Sequence, residues 1–151
     1  MEIAGKLLAD GAPVDRLDGQ GRPALHLAIM ESHVDMAELF LNFGANIETS
    51  SGPMSIRAIH LASMTLNPSM MRTLLRYHPN LESTCNGLTA LFYAVSSGNY
   101  EVVELLLEAG ANAKAKTLCS PGKGESVLHM AVSSFMNSML PLLIRYGADV
   151  N

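Results

Sequence analysis

The sequence predicts an all-α solenoid of stacked helix–turn–helix units joined by hairpin-like loops. Three observations predict it. The 151 residues are 48% apolar but only 5% aromatic, with no Trp; a Leu, Ala, Met, Ile and Val mixture of this kind favours helix over strand. Two short phrases recur in fixed alternation along the whole chain. Between the phrases, apolar residues fall at helical spacing.

The first phrase reads GRPALHLA at Gly21 to Ala28, SIRAIHLA at Ser55 to Ala62, GLTALFYA at Gly87 to Ala94 and GESVLHMA at Gly124 to Ala131. The second reads GAPVD from Gly11, GANIE from Gly44, HPNLE from His78, GANAK from Gly110 and GADVN from Gly147, at intervals of 33, 34, 32 and 37 residues. Self-similarity at such a period is the mark of a repeat architecture. Residues 1–17 match only a second helix and its following loop, and form a half unit. Full units follow at 18–50, 52–83, 84–116 and 121–151.

Within a unit the elements come in one order. A turn such as Asp18-Gly19-Gln20-Gly21 carries the residues that turns need. A short helix runs through His26, Leu27, Ala28 and Ile29 and breaks at Ser32-His33. A longer helix carries Val34, Met36, Ala37, Leu39, Phe40 and Leu41 and stops at Gly44, where Gly can take the left-handed conformation that closes a helix. Val102, Val103, Leu105, Leu106 and Leu107 repeat the second helix in the third unit. Pro68 opens the second helix of its unit, where a first-turn Pro is tolerated. Pro141 falls inside the expected second helix of the last unit and predicts a kink or a late start there. An insertion near Thr117 to Ser120 lengthens one loop.

Charge and cysteine content exclude several classes. The net charge is −4 and the isoelectric point about 5.7, whereas nucleic-acid binding needs a basic face. No apolar run approaches the length of a membrane span. Asp10 interrupts any signal-peptide layout near the start. Cys85 and Cys119 do not make a disulfide framework, and they read as two free thiols at or near successive loop tips.

In both phrases, in the period near 33 and in the helix–loop order, the sequence resembles the ankyrin repeat family over essentially its whole length. The family phrase T-P-L-H-x-A is not matched literally. Its Thr is Pro23, Arg57, Thr89 and Ser126, and its Pro is Ala24, Ala58, Ala90 and Val127, so those helix starts lose some rigidity. Phe92 stands in the place of His in the third unit. His78-Pro79 stand in the place of Gly-Ala in the second.

The chemical candidates reduce to structural roles. His26, His60 and His129 sit one unit apart, and units stack at about 10 Å, the usual helix-packing distance, so the three imidazoles do not converge on a metal. The resemblance implies instead that each hydrogen-bonds backbone near the next loop. His33 and His78 read as turn and surface residues. Pro121 to Ser126 lacks the strand and the Gly-Lys-Ser/Thr order of a phosphate loop, and reads as a flexible hairpin. Glu101 and Glu104 lie on an outward helix face. No nucleophile–base pair can be assembled. A non-enzyme without cofactor or metal is expected.

The resemblance places partner binding on the concave side, made from loop tips and first helices. It implies Gln20, Arg22, Met30 and Glu31 in the first full unit; Met54, Ile56, Met64 and Thr65 in the second; and Asn86, Leu88, Ser96 and Ser97 in the third. Gly19, Pro53 and Cys85 fall at neighbouring tip positions. Among these, Met30, Met54, Ile56, Met64 and Leu88 are apolar where exposure is expected, and an apolar patch rimmed by polar groups marks an interaction surface. The expected function is a non-catalytic module that binds a partner protein or peptide, with neither nucleic acid nor membrane insertion, in an intracellular protein. The alternative is a substrate-recruiting or autoinhibitory region of a larger enzyme or signalling receptor. Neither end reads as a polar capping unit, so a monomeric piece of a longer array is expected.

Overall fold

A computed structural model describes residues 2–118 and 124–149. The half unit contributes α1 (Glu2–Ala9). The full units contribute α2 (Ala24–Met30) with α3 (Val34–Asn42), α4 (Ala58–Met64) with α5 (Pro68–Leu75), α6 (Ala90–Ser96) with α7 (Tyr100–Glu108), and α8 (Val127–Ser133) with α9 (Leu140–Arg145). The first helices pack in the order α2, α4, α6, α8, and the second helices in the order α3, α5, α7. Among the described residues, extended structure is limited to isolated bridges that close the loops into fingers: Leu17 with Pro23, Ser51 with Ile56, Cys85 with Leu88, and Lys116 with Ser126.

The repeated phrases explain the elements. A first helix spans only seven residues, too short to persist alone in water. It is held by burial: Leu25, Ile29, Ile59, Leu91 and Val95 are at most 2% exposed, and Ala62, Ala94 and Ala131 are fully buried. Side-chain caps begin several helices, with Asn67 accepting the Met70 N–H at 3.1 Å and Asn99 accepting that of Val102 at 3.2 Å, each satisfying an otherwise orphan donor. Pro68 stands in the first turn of α5, as its position in the sequence predicts. Pro141 gives the late start: a 3-10 turn, Asn137–Met139, precedes α9, which has Pro141 in its own first turn.

Each second helix ends in a left-handed residue. Gly44, Gly110 and Gly147 have φ values of 82, 97 and 89°, and His78 takes the same role at 50°. After each Gly an Ala N–H returns to the helix, as from Ala45 to the Phe40 carbonyl at 3.0 Å. Pro79 has no N–H to return, and the Leu74 carbonyl is taken by the Tyr77 N–H at 2.9 Å instead. The loops are then tied to one another. An Asp15 carboxylate oxygen accepts the Asn46 N–H at 3.0 Å, Glu48 accepts that of Asn80 at 2.7 Å, and Glu82 accepts that of Asn112 at 2.9 Å. The acidic fifth letter of one phrase thus holds the third letter of the next. Lys114 occupies the acidic position in the fourth phrase and ends the series.

Among the described residues, one buried side-chain group lacks a hydrogen-bond partner. In the last unit the Ser126 hydroxyl lies 2.7 Å from His129 Nδ1. In the third unit Phe92 replaces that His and is fully buried, and Thr89 Oγ1 is buried with no hydrogen-bond partner. A buried hydroxyl left unpaired costs about 1–3 kcal/mol. Two stability gains are expected. Thr89→Val, which keeps the shape and removes the orphan hydroxyl, raises unfolding stability by about 1 kcal/mol; a loss in urea titration would show that the hydroxyl is satisfied. His78→Gly, which relieves the left-handed strain, gives a similar gain of about 1 kcal/mol, or about 3 °C in Tm; an unchanged Tm would mean that His78 is not strained.

Candidate functional site

The candidate site is a surface built on the ends of the first helices and on the fingers before them. Met30 is the last residue of α2 and Met64 the last of α4; they hold equivalent places on neighbouring packed helices. They are 50% and 51% exposed. Met54, in the finger that precedes α4, is 60% exposed. These three side chains contribute little to the core and face solvent.

Ile56 and Leu88 depart from expectation. Both are half-buried, and Leu88 packs against the core. Both lie where the fingers close, Ile56 paired with Ser51 and Leu88 with Cys85. Cys85 is likewise not at an exposed tip. It is 1% exposed, and its carbonyl accepts the Tyr93 hydroxyl at 3.0 Å. Cys119 and the 121–123 part of the expected flexible hairpin lie outside the described residues.

The polar candidates divide in two. Gln20, Glu31, Asn86 and Ser96 are exposed. Asn86 sits in a finger turn with φ 49° next to Gly87 at 74°, the geometry that an Asn-Gly hairpin turn requires. Arg22, Thr65 and Ser97 are engaged. Arg22 forks onto Asp18, with Nε at 3.0 Å and Nη2 at 2.8 Å from Oδ2. The Arg22 backbone N–H, followed by its side chain, holds the Asp18 carboxyl below the ordinary carboxylate range. Thr65 donates its hydroxyl to the Ala62 carbonyl at 2.9 Å. The Ser97 hydroxyl lies 2.7 Å from the Tyr93 carbonyl of its own unit and 2.9 Å from the Ser63 carbonyl of the preceding one, so its single proton is shared between α6 and α4.

Sequence reading missed two exposed apolar residues beside this surface. Leu66 is 76% exposed and Phe135 is 88% exposed. They follow the first helices at equivalent places, six residues after His60 and His129. Phe135 also has φ 59°, a conformation rare for a bulky residue. The available signal was an apolar residue where the other units carry Ser32 and Gly98.

Two histidines tie a first helix to the loop that closes its unit. His60 Nε2 donates to the Ser83 carbonyl at 2.9 Å, and its Nδ1 accepts the Arg57 N–H at 3.2 Å. These partners fix the neutral Nε2–H tautomer. His26 Nδ1 lies 2.9 Å from the Ser51 hydroxyl. His129 stays within its own loop, on Ser126. Among the described residues no group of His, Cys, Asp and Glu could hold a metal ion, and no helix is long and apolar enough to cross a membrane.

A family model described as ankyrin repeats (3 copies) matches residues 49–117, and one described as ankyrin repeats (many copies) matches residues 1–41 and 91–144. The chain is 38% identical over 137 residues to the B-cell lymphoma 3 protein homolog of Mus musculus, covering 84% of this chain and 29% of that protein. It is 26% identical over 155 residues to the transient receptor potential cation channel subfamily A member 1 of Homo sapiens, covering 99% and 13%. It is 30% identical over 143 residues to the nuclear factor NF-kappa-B p105 subunit of Gallus gallus, covering 89% and 14%. The chain therefore spans less than a third of the length of these relatives.

Burial lowers the pKa of both His26 and His60 below the ordinary 6.5, against the raising effect of their backbone hydrogen bonds. The fold thus favours neutral imidazole. Its contribution is complete above about pH 6.5 and is lost as the pH falls from there through the lowered folded-state values. The urea midpoint is expected to drop between pH 7 and pH 5, and the drop should shrink in the His26→Gln/His60→Gln variant; an equal drop in that variant would assign the acid sensitivity elsewhere.

Proposed function

Because the chain belongs to the ankyrin repeat family, whose members are in general non-catalytic protein–protein interaction modules, we propose that it binds an apolar segment of a partner protein along the first-helix ends and fingers. The observation that carries this reading is the exposure of Met30, Met54 and Met64 on neighbouring packed elements. Methionine is flexible and polarisable, and fits irregular apolar partners. A preformed face pays little ordering entropy on binding. Glu31, Gln20, Asn86 and Ser96 supply a polar rim. Ile56 and Leu88 support the fingers from below, and Arg22, Thr65 and Ser97 hold the scaffold beside the contact.

The setting we propose is an intracellular one, in keeping with the free, buried thiol of Cys85 and the persistence of free thiols in reducing compartments. The coverage of less than a third of each relative favours a second reading, in which these units recruit a substrate or restrain activity within a larger enzyme or receptor. One of those relatives is named as a cation channel. Both readings use the same face.

Selection of displayed peptides on the folded chain tests the proposal. Peptides with apolar anchors are expected. Met30→Ser, Met54→Ser and Met64→Ser together should weaken the selected peptide about tenfold or more, while unfolding stability stays within about 0.5 kcal/mol for such surface changes. Leu88→Ser should instead lower stability as well as binding. Peptides that bind the triple variant as well as the native chain would place the contact elsewhere.

A further inference from the structure

The methionines fall into distinct environments. Met70, Met71 and Met139 are no more than 1% exposed. Met36, Met130 and Met136 are half-buried and pack against the core. Met30, Met54 and Met64 are half exposed or more, and they lie on the proposed contact face. Cys85, which would otherwise compete for an oxidant, is buried.

We infer that Met30, Met54 and Met64 form an oxidisable set, and that a hydroperoxide such as hydrogen peroxide converts them to sulfoxides and so turns the contact face from apolar to polar. The consequence for binding rests on the function proposed above; the selectivity of oxidation does not. In each step a sulfur lone pair attacks one peroxide oxygen. The O–O bond breaks, an S–O bond forms, and the departing hydroxide takes up the proton to leave as water. The sulfur is oxidised by two electrons and the peroxide is reduced. The reaction needs only access to the sulfur, which these three residues grant and Met70, Met71 and Met139 withhold. Sulfoxide is polar and chiral, and disrupts contacts that a thioether makes. Because the three side chains stand outside the stacked core, the change reaches the surface without unfolding the units. The modification is reversible by methionine sulfoxide reductases, which gives the face two interconvertible states.

The test is graded peroxide treatment of the full chain followed by peptide mapping. Met30, Met54 and Met64 should gain oxygen at least about tenfold faster than Met70, Met71 and Met139, with the circular dichroism spectrum and Tm unchanged. A peptide selected on the untreated chain should then bind about tenfold more weakly, and reductase treatment should restore it. The Met30→Leu/Met54→Leu/Met64→Leu variant keeps apolar side chains that peroxide does not attack, and should hold its affinity through the same treatment. Equal oxidation rates at exposed and buried methionines, or unfolding as the three are oxidised, would overturn the inference. So would undiminished peptide affinity after full oxidation of the three, or the same loss in the Leu variant. If no selected peptide depends on this face, the docking proposal and the binding half of the inference fall together, and the mapped rates still decide whether the oxidisable set exists.

Discussion

A seven-residue helix cannot stand alone, and everything in this structure follows from the need to lay such helices side by side. The contact between neighbouring first helices uses small residues at matched places. Ala28, Ala62, Ala94 and Ala131 are all buried, and a short side chain there lets two backbones approach closely while Leu25, Ile29, Ile59 and Leu91 fill the space around them. The stacking is lateral, so each unit completes the core of the next. At α1 this support is thin: it has no buried residue, and Ile3 and Leu7 are 77% and 56% exposed.

The polar groups between units follow the same logic. Laying helices side by side brings loop against loop and leaves backbone N–H groups at the seams. The acid–Asn series from Asp15 to Asn112, the imidazole of His60 on the Ser83 carbonyl and the Ser97 hydroxyl on that of Ser63 each satisfy a group at a seam. On the second-helix side, Arg76 meets Glu38 at 2.7 Å and Arg72 pairs with Glu101. Those ion pairs are exposed and worth little individually, about 0–1 kcal/mol. The buried imidazoles carry a larger consequence, since protonation there removes an acceptor that the stack uses.

The repeat register made most of the helices legible in the sequence, because a period near 33 ties each helix to a phrase whose place is fixed. It made the site only partly legible. Register says where a residue lies along a unit, but a finger that closes into a bridge decides which way its side chain turns. Cys85 and Leu88 lie in such a bridge and pack inward, and Ile56 in another is half-buried, whereas Met30 and Met64, at helix ends free of any bridge, are about half exposed. The acid–Asn series was written in the fifth and third letters of the second phrase, yet its meaning depends on the distance between stacked loops, which one unit alone does not contain. The orphan hydroxyl of Thr89 is similar: Phe92 in place of His signals it only once Ser126 and His129 show what the partner does.

Stacking and the proposed recognition therefore draw on different positions of the same unit. The contacts that hold the array run between neighbours along the helix rails, and a residue enters them only if it faces the next unit. Met30 and Met64, at the ends of their first helices, are about half exposed, and changes to such surface side chains bear little on the stack. Ser97 marks the boundary of this freedom. Its hydroxyl is shared between the Tyr93 carbonyl of its own unit and the Ser63 carbonyl of the preceding one, whereas Ser96, one residue earlier, is exposed. A single step along the helix separates a half-buried position at the seam from an exposed one. That separation lets surface methionines change their polarity while the core beneath them keeps its shape.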